Sequence, residues 1–377
     1  MPRLIFATIL FLLSLLIFFR APAKFLWYVS ILVTEFSVPF IMLTLVFILC
    51  KFGSATYNLL TTIVGLAAMT IFTLPLIQAW RISNKIGQEF NSAFKINNTK
   101  NLTAPFRLIN IVTGINAKKL PYKTFEYDEI HGLTLDLYQS KAIGKKPCVI
   151  VIHGGSWAGG DSQQLPGLNS KLADAGYVVA SINYRLAPSY TYPAPLQDVQ
   201  KCISYLTNNS ATFSIDTNNL VLLGRSAGGQ IALSAAYTLN DTRIKGVICF
   251  YGPADMIWGY QNPTNPLVLD SRKVMKDYLG GTLSEVPEQY RHSSATETIT
   301  KQAPLTLLLY GQNDPLVSPG HSTRLSAKLK AQGILFFELY LPWATHGFDY
   351  TLNGPGGQLS TWTVKRFLEV VSNKKDN

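Results

Sequence analysis

Residues 218–236 read NNLVLLGRSAGGQIALSAA. An apolar run ends in Gly-Arg-Ser-Ala-Gly-Gly, and a run rich in Ala and Leu follows. The first run suits a buried strand and the second a helix. Between them, Gly224-x-Ser226-x-Gly228 fits the sharp strand-to-helix turn that displays a nucleophile. The turn is so tight that side chains two positions either side would collide, so glycine is expected at both. Such a turn lifts the hydroxyl above the sheet edge. It also aims the Ala227 amide and the helix N-terminus at one point, where negative charge is favoured.

Working outward, KTFEYDEIHGLTLDLYQ alternates on both sides of His131-Gly132 and predicts a hairpin. PCVIVIHGG, NLVLLG, IKGVICFYG, PLTLLLYG and LFFELYL are short apolar runs of the kind buried parallel strands need. LNSKLADAGYVVASINYRL reads as helix, glycine break and strand. LQDVQKCISYLTNN, HSTRLSAKLKAQG and LSTWTVKRFLEVVSN read as helices. Strands and helices alternate, so the expected class is α/β with a mostly parallel sheet. In such sheets ligands sit beyond the C-terminal strand ends.

A serine hydroxyl attacks only when a base takes its proton. Of the five histidines, His131 and His153 precede the serine, whereas in this type of fold the base follows it. His321 begins an amphipathic helix, and His292 lies in an irregular stretch. His346, in PWATHGFDY after a strand, is the candidate base. Asp314 in LLLYGQNDPLVS is the candidate acid that would orient it, with Asp255, Asp270 and Asp277 as rivals. In VIHGGSW, the amides of Gly155 and Ser156, with that of Ala227, are candidates for an oxyanion hole. This chemistry calls for no metal or organic cofactor.

HGGSW, NYRLAPSYTYPAPLQDV, IDTNNLVLLGRSAGGQIAL, LLLYGQNDPLV and THGF occur in one order across residues 123–372. In these motifs the chain resembles the α/β-hydrolase superfamily, specifically the hormone-sensitive-lipase-like carboxylesterases and bacterial esterase/lipases. The resemblance implies Ser226 as nucleophile, Asp314 as acid, His346 as base, Gly155, Ser156 and Ala227 as oxyanion donors, and Tyr184 and Asp198 as framework residues. Two residues depart from the pattern: Ser156 stands where a third glycine is common, and Arg225 where an aspartate is common. Arg225 is expected to pair with a nearby acid. Residues 253–303, with Trp258, Tyr260, Tyr278 and Tyr290, are expected to form a cap that sets substrate choice. The implied activity is ester cleavage on a small or lipid-like substrate. Amide cleavage of the prolyl-peptidase-like kind and a non-catalytic membrane scaffold are the alternatives.

The first 80 residues differ from the rest. Residues 4–19, 25–50 and 59–80 are apolar stretches, and a membrane span needs about 20 such residues. They predict a transmembrane segment of about three helices over residues 1–80, a connector over 81–120, and a hydrolase domain over 121–377. The connector holds an amphipathic stretch near 86–96, expected to lie on the bilayer surface. Arg20, Lys24, Arg81 and Lys85 outnumber Arg3 and Lys51, which predicts a multi-pass protein with its catalytic domain in the cytoplasm. Glu35 lies within the second stretch, four residues before Pro39, and is expected to slide toward an interface. The net charge of +11 is scattered rather than clustered among aromatics, which argues against nucleic acid and fits acidic headgroups. Four separated cysteines make neither a disulfide framework nor a zinc site, and are expected to be buried thiols. The oligomeric state is not legible.

Overall fold

The computed structural model describes residues 2–96, 104–114, 120–140 and 142–373. Eight strands form one sheet: β1 (Lys123–Asp128), β2 (Leu133–Tyr138), β3 (Lys146–Ile152), β4 (Val178–Ile182), β5 (Ile215–Arg225), β6 (Ile244–Phe250), β7 (Leu305–Gly311) and β8 (Phe336–Leu341). Their order is β1-β2-β4-β3-β5-β6-β7-β8. The hairpin β1–β2 and the β2–β4 pair are antiparallel, and all the other pairs are parallel. Residues 148–152, 220–225, 246–250 and 306–311 are buried without alternation, as strands covered on both faces require. The strand order reverses at β3, with β4 on one side and β5 on the other. The ligand crevice of such a sheet therefore opens at the C-terminal ends of β3 and β5.

The helices are α1 (Pro2–Ser14), α2 (Lys24–Glu35), α3 (Ser37–Leu49), α4 (Ala55–Ala93), α5 (Leu108–Thr113), α6 (Pro166–Asp174), α7 (Ala194–Asn208), α8 (Ser210–Phe213) and α9 (Ala227–Thr238). After β6 come α10 (Met256–Gln261), α11 (Ser271–Leu279), α12 (Pro287–Ser293) and α13 (Ala295–Thr298), then α14 (Gly320–Ala331) and α15 (Pro355–Asn373). Helix α9 lies on β5 and β6 beside α7 and α13, while α15 packs on β5 to β8 from elsewhere.

The N-terminal stretches differ from the expected three spans. Among the described residues, α4 is the one unbroken helix long and apolar enough to cross a membrane, and a second span would have to be a bent pair of helices. The second stretch breaks into α2 and α3, bent by 85°. The break follows from its polar residues. Glu35 is held elsewhere in the protein, as described below, and Pro39 lacks the N–H that a helix interior needs but is tolerated in the first turn of α3. The first stretch is a 13-residue helix ending in a 3-10 turn over Leu15–Ile17. Helices α1 and α3 pack along α4. Arg3, at the start of α1, is buried. Its Nε and Nη2 donate to the Phe47 carbonyl at 3.1 and 2.7 Å, and its Nη1 donates to Asn58 Oδ1 at 2.5 Å. Arg3 thus satisfies the C-terminal end of α3 instead of facing headgroups.

Helix α4 also runs without a break through residues 80 and 81. Its second half packs on the hydrolase. Ile86 and Phe90 are fully buried, and Phe90 meets Phe337 of β8 at 5.2 Å and Trp362 of α15 at 6.3 Å between ring centroids. Phe94 meets Phe367 at 5.6 Å. The amphipathic stripe near 86–96 is therefore a core stripe of the hydrolase. Part of the expected connector, 97–103 and 115–119, lies outside the described residues. Cys148, Cys202 and Cys249 are buried, but Cys50, between α3 and α4, is exposed.

Candidate active site

The turn from β5 to α9 is as tight as its glycines suggest. Ser226 adopts φ 53° and ψ −120°, a conformation that non-glycine residues rarely hold. A Cβ at Gly224 would lie 2.0 Å from the Gly228 carbonyl oxygen, and one at Gly228 would lie 2.2 Å from that of Ile152. Both positions exclude any side chain. The Ser226 amide donates to the Phe250 carbonyl at 2.9 Å, tying the turn to β6.

Three distant chain segments meet at the Ser226 hydroxyl. Its Oγ is 3.0 Å from Nε2 of His346, and Nδ1 of His346 is 2.7 Å from Oδ2 of Asp314. Asp314 is buried, and its other oxygen accepts the amides of Leu316 and Val317, each at 2.8 Å. This turn fixes the carboxylate, so the Asp-Pro signal in the sequence and the placement of the acid have one cause. The rival acids have other partners. Asp255 accepts the Trp258 amide and pairs with Arg324, Asp270 caps α11, and Asp277 pairs with Lys273.

The loop after β3 lies opposite. Gly155 has φ 120°, and Ser156 and Trp157 are also left-handed. A Cβ at Gly155 would meet the Gly159 carbonyl oxygen at 2.0 Å. Trp157 holds this loop from behind, stacking on Tyr278 of α11 at 4.4 Å and donating from Nε1 to Gln230 Oε1 at 3.0 Å. Tyr184 donates to the His153 carbonyl at 3.1 Å and stacks on that imidazole, which burial pushes below its ordinary pKa. Asp198 is not in the cavity wall; it accepts the amide and Nε of Arg185, each at 2.8 Å.

A cavity of about 620 Å³ opens over Ser226. Ser156, Ala227 and Asp314 line it, but Gly155 does not. Trp258, Val274 and Met275 come from α10 and α11, and Leu316 and Val317 from the Asp314 turn. His321 also lines it, and burial holds its imidazole down at about 4, so it is neutral at ordinary pH. Sequence patterning placed His321 at a helix start but gave no sign that it faces the cavity. Arg20, Ala21 and Pro22 complete the wall. These belong to the apolar N-terminal segment, and nothing in their sequence marks them as part of a site.

Arg225 finds the acid expected of it. Its Nε donates to Asp349 Oδ2 at 2.6 Å, and Tyr251 donates to the other Asp349 oxygen at 2.5 Å. The Tyr251 ring lies 4.3 Å from that of His346. Burial alone would lower the Arg225 pKa, but Asp349 and Tyr251 outweigh it and hold the guanidinium charged. Neither Asp349 nor Tyr251 carried a sequence signal of its own beyond lying next to a motif.

Sheet order, elbow and crevice together define an α/β-hydrolase fold. The chain belongs to the BD-FAE family, which it matches over residues 135–329, more than half its length. It is 29% identical over 261 residues to Esterase LipC of Mycobacterium tuberculosis, covering 63% of this chain and 62% of that one. It is also 29% identical over 245 residues to the probable carboxylic ester hydrolase LipM of the same organism, covering 60% and 55%. The chain thus spans roughly three fifths of the length of these relatives. Among solved structures, an esterase of Pyrobaculum calidifontis superposes with a TM-score of 0.60 at 17% identity, covering 77% of this chain and 93% of that one. The acetyl ester-xyloside bifunctional hydrolase of Caldicellulosiruptor lactoaceticus gives 0.56 at 20% identity, covering 68% and 98%. At these identities the structures speak to the fold.

Proposed function

We propose that the chain is a serine hydrolase that cleaves carboxylic esters through an acyl-enzyme. The observation that carries this reading is the unbroken hydrogen-bonded series Ser226–His346–Asp314 at the mouth of the crevice. His346 Nε2 takes the proton as Ser226 Oγ attacks the ester carbonyl. Asp314 keeps the other ring nitrogen protonated and stabilises the imidazolium. The amides of Ser156 and Ala227, which line the cavity, receive the developing oxyanion; one such donor is worth about 3 kcal/mol of barrier. The imidazolium then protonates the leaving alcohol. Water, activated by the same imidazole, releases the acid. The names of LipC and LipM, both ester hydrolases, support this choice over amide cleavage.

The cavity wall is mostly apolar, which suits a hydrophobic acyl or alkyl group. Leu59, Ile63 and Leu66 on α4, with Phe6 and Ile9 on α1, are exposed, and such a surface favours attachment to a lipid bilayer. Arg81 and Lys85 follow the apolar part of α4, which favours a cytoplasmic hydrolase. A fluorophosphonate probe tests the nucleophile. Ser226 is expected to be labelled and Ser226→Ala to lose both labelling and turnover; labelling that persists in that variant overturns the assignment. Paired rates on a nitrophenyl ester and a peptide anilide are expected to favour the ester by orders of magnitude, and a preference for the anilide would replace ester cleavage with amide cleavage.

A further inference from the structure

Chain segment 17–35 reaches the groups that hold the acid and the base. Helix α2 presents Trp27, Ile31 and Glu35 on one face, four residues apart, as a helix allows. Trp27 Nε1 donates to the backbone carbonyl of His346 at 2.9 Å, and its ring meets the imidazole edge-on at 6.0 Å. Ile31 Cδ1 lies 3.5 Å from where a Cβ would stand on Gly347, which has φ 82°. Glu35 accepts the Gly356 amide at 2.9 Å, at the start of the helix that follows the His346 loop. Just before α2, the Ile17 carbonyl accepts Nδ2 of Asn313 at 2.7 Å, beside Asp314. By contrast, the Ser226 turn is tied to β6.

We infer that Trp27 is a positioning residue for His346, so that the seating of α2 sets how well the imidazole moves protons. The inference rests on the serine-hydrolase reading. The bond from Trp27 fixes the plane of the His346–Gly347 peptide, whose left-handed glycine would otherwise let the loop rotate. Its loss loosens the imidazole in both its roles, as base toward Ser226 and as acid toward the leaving alcohol. Substrate binding in the cavity does not change, because Trp27 does not line it. A proton-transfer defect has a signature that mere loss of folded protein lacks. A nitrophenolate leaves without help, whereas an alkoxide needs the imidazolium proton.

The test uses the full chain in detergent micelles, with active sites counted by fluorophosphonate titration. Trp27→Phe keeps an aromatic ring and removes the N–H. Per titrated site, kcat/KM on a nitrophenyl ester, which reports acylation alone, is expected to fall about fivefold, the scale of one hydrogen bond. The fall is expected to be larger on the matching ethyl ester. Should Trp27→Phe leave few titratable sites, the benzothienyl analogue of tryptophan, of the same shape without the N–H, carries the same expectation. Wild-type kcat/KM per site on both esters, in either variant that titrates, overturns the inference. So does a loss of kcat/KM that is equal on the two esters. Absence of Ser226-dependent turnover in the wild type would instead sink the ester-hydrolase reading itself.

Discussion

Arg225 stands next to the nucleophile with its guanidinium fully buried, paired with Asp349 and lying 5.2 Å from the Phe250 ring centroid. A buried ion pair adds little net stability over an apolar pair, because desolvation consumes the Coulomb gain. Removing one partner is different, since it strands a charge where water cannot reach. Asp349→Asn, nearly isosteric, is therefore expected to cost about 3–5 kcal/mol, read as a large drop in the denaturant midpoint. A change under 1 kcal/mol would mean that water or another acid reaches Arg225. His321 gives a second handle at this scale. Its folded pKa of about 4 lies below the unfolded value of about 6.5. The unfolded chain then binds more protons between these values. Stability is complete above pH 6.5 and is lost as pH falls toward 4, at up to about 1.4 kcal/mol per pH unit. Replacing His321 with Asn is expected to flatten that part of the acid limb in a melting series; an unchanged limb would assign it to other groups.

Glu35 and α15 explain one another at the scale of elements. The run Gly354-Pro355-Gly356-Gly357 looks in sequence like a simple turn before a helix. In the fold it is a cradle. A Cβ on Gly354 would lie 2.3 Å from Glu35 Oε2, and one on Gly356 would lie 2.7 Å from Oε1. The glycines leave room for the Glu35 carboxyl group at a helix N-terminus, where the Gly356 and Gly357 amides bond it while burial pushes its pKa up to about 8. This is also why the chain bends by 85° between α2 and α3: Glu35, at the end of α2, is held by the hydrolase. Gly356→Ala is expected to cost about 1–3 kcal/mol by overpacking that carboxyl group. In a Glu35→Ala background the same change is expected to cost much less. Equal costs in both backgrounds, measured as a double-mutant cycle in denaturant, would show that the cradle and the acid are independent.

For the molecule as a whole, the N-terminal segment and the hydrolase share a core. Ile86, Phe90 and Phe94 are buried against β8 and α15, and full burial of such a side chain is worth about 1.5–3 kcal/mol each. Together these approach the 5–15 kcal/mol that holds a typical domain folded. A fragment beginning at residue 120 would expose Phe337, Trp362 and Phe367. It is expected to be insoluble or to melt well below the full chain, whereas one beginning at residue 81 keeps the stripe and is expected to melt higher. Equal melting of the two fragments would show that the shared core contributes little.

Residue order and type alone carried the parallel sheet, the elbow at Ser226 and the positions of Asp314, His346, Ser156 and Ala227. Each is a local demand, in which glycine must stand where a turn leaves no room and an apolar run must stand where both strand faces are covered. Hydropathy could not tell which surface would cover an apolar helix. The same stripe suits lipid or a protein core, so residues 86–96 and the break at Phe36 became legible only once β8, α15 and the glycine cradle were in place. The contacts of Trp27 with His346 and of Asn313 with Ile17 join segments some 300 residues apart in the chain, and that of Pro22 with Asn265 spans 243. Long-range pairings of that kind leave no periodicity to read, because only the closed fold brings the two ends together.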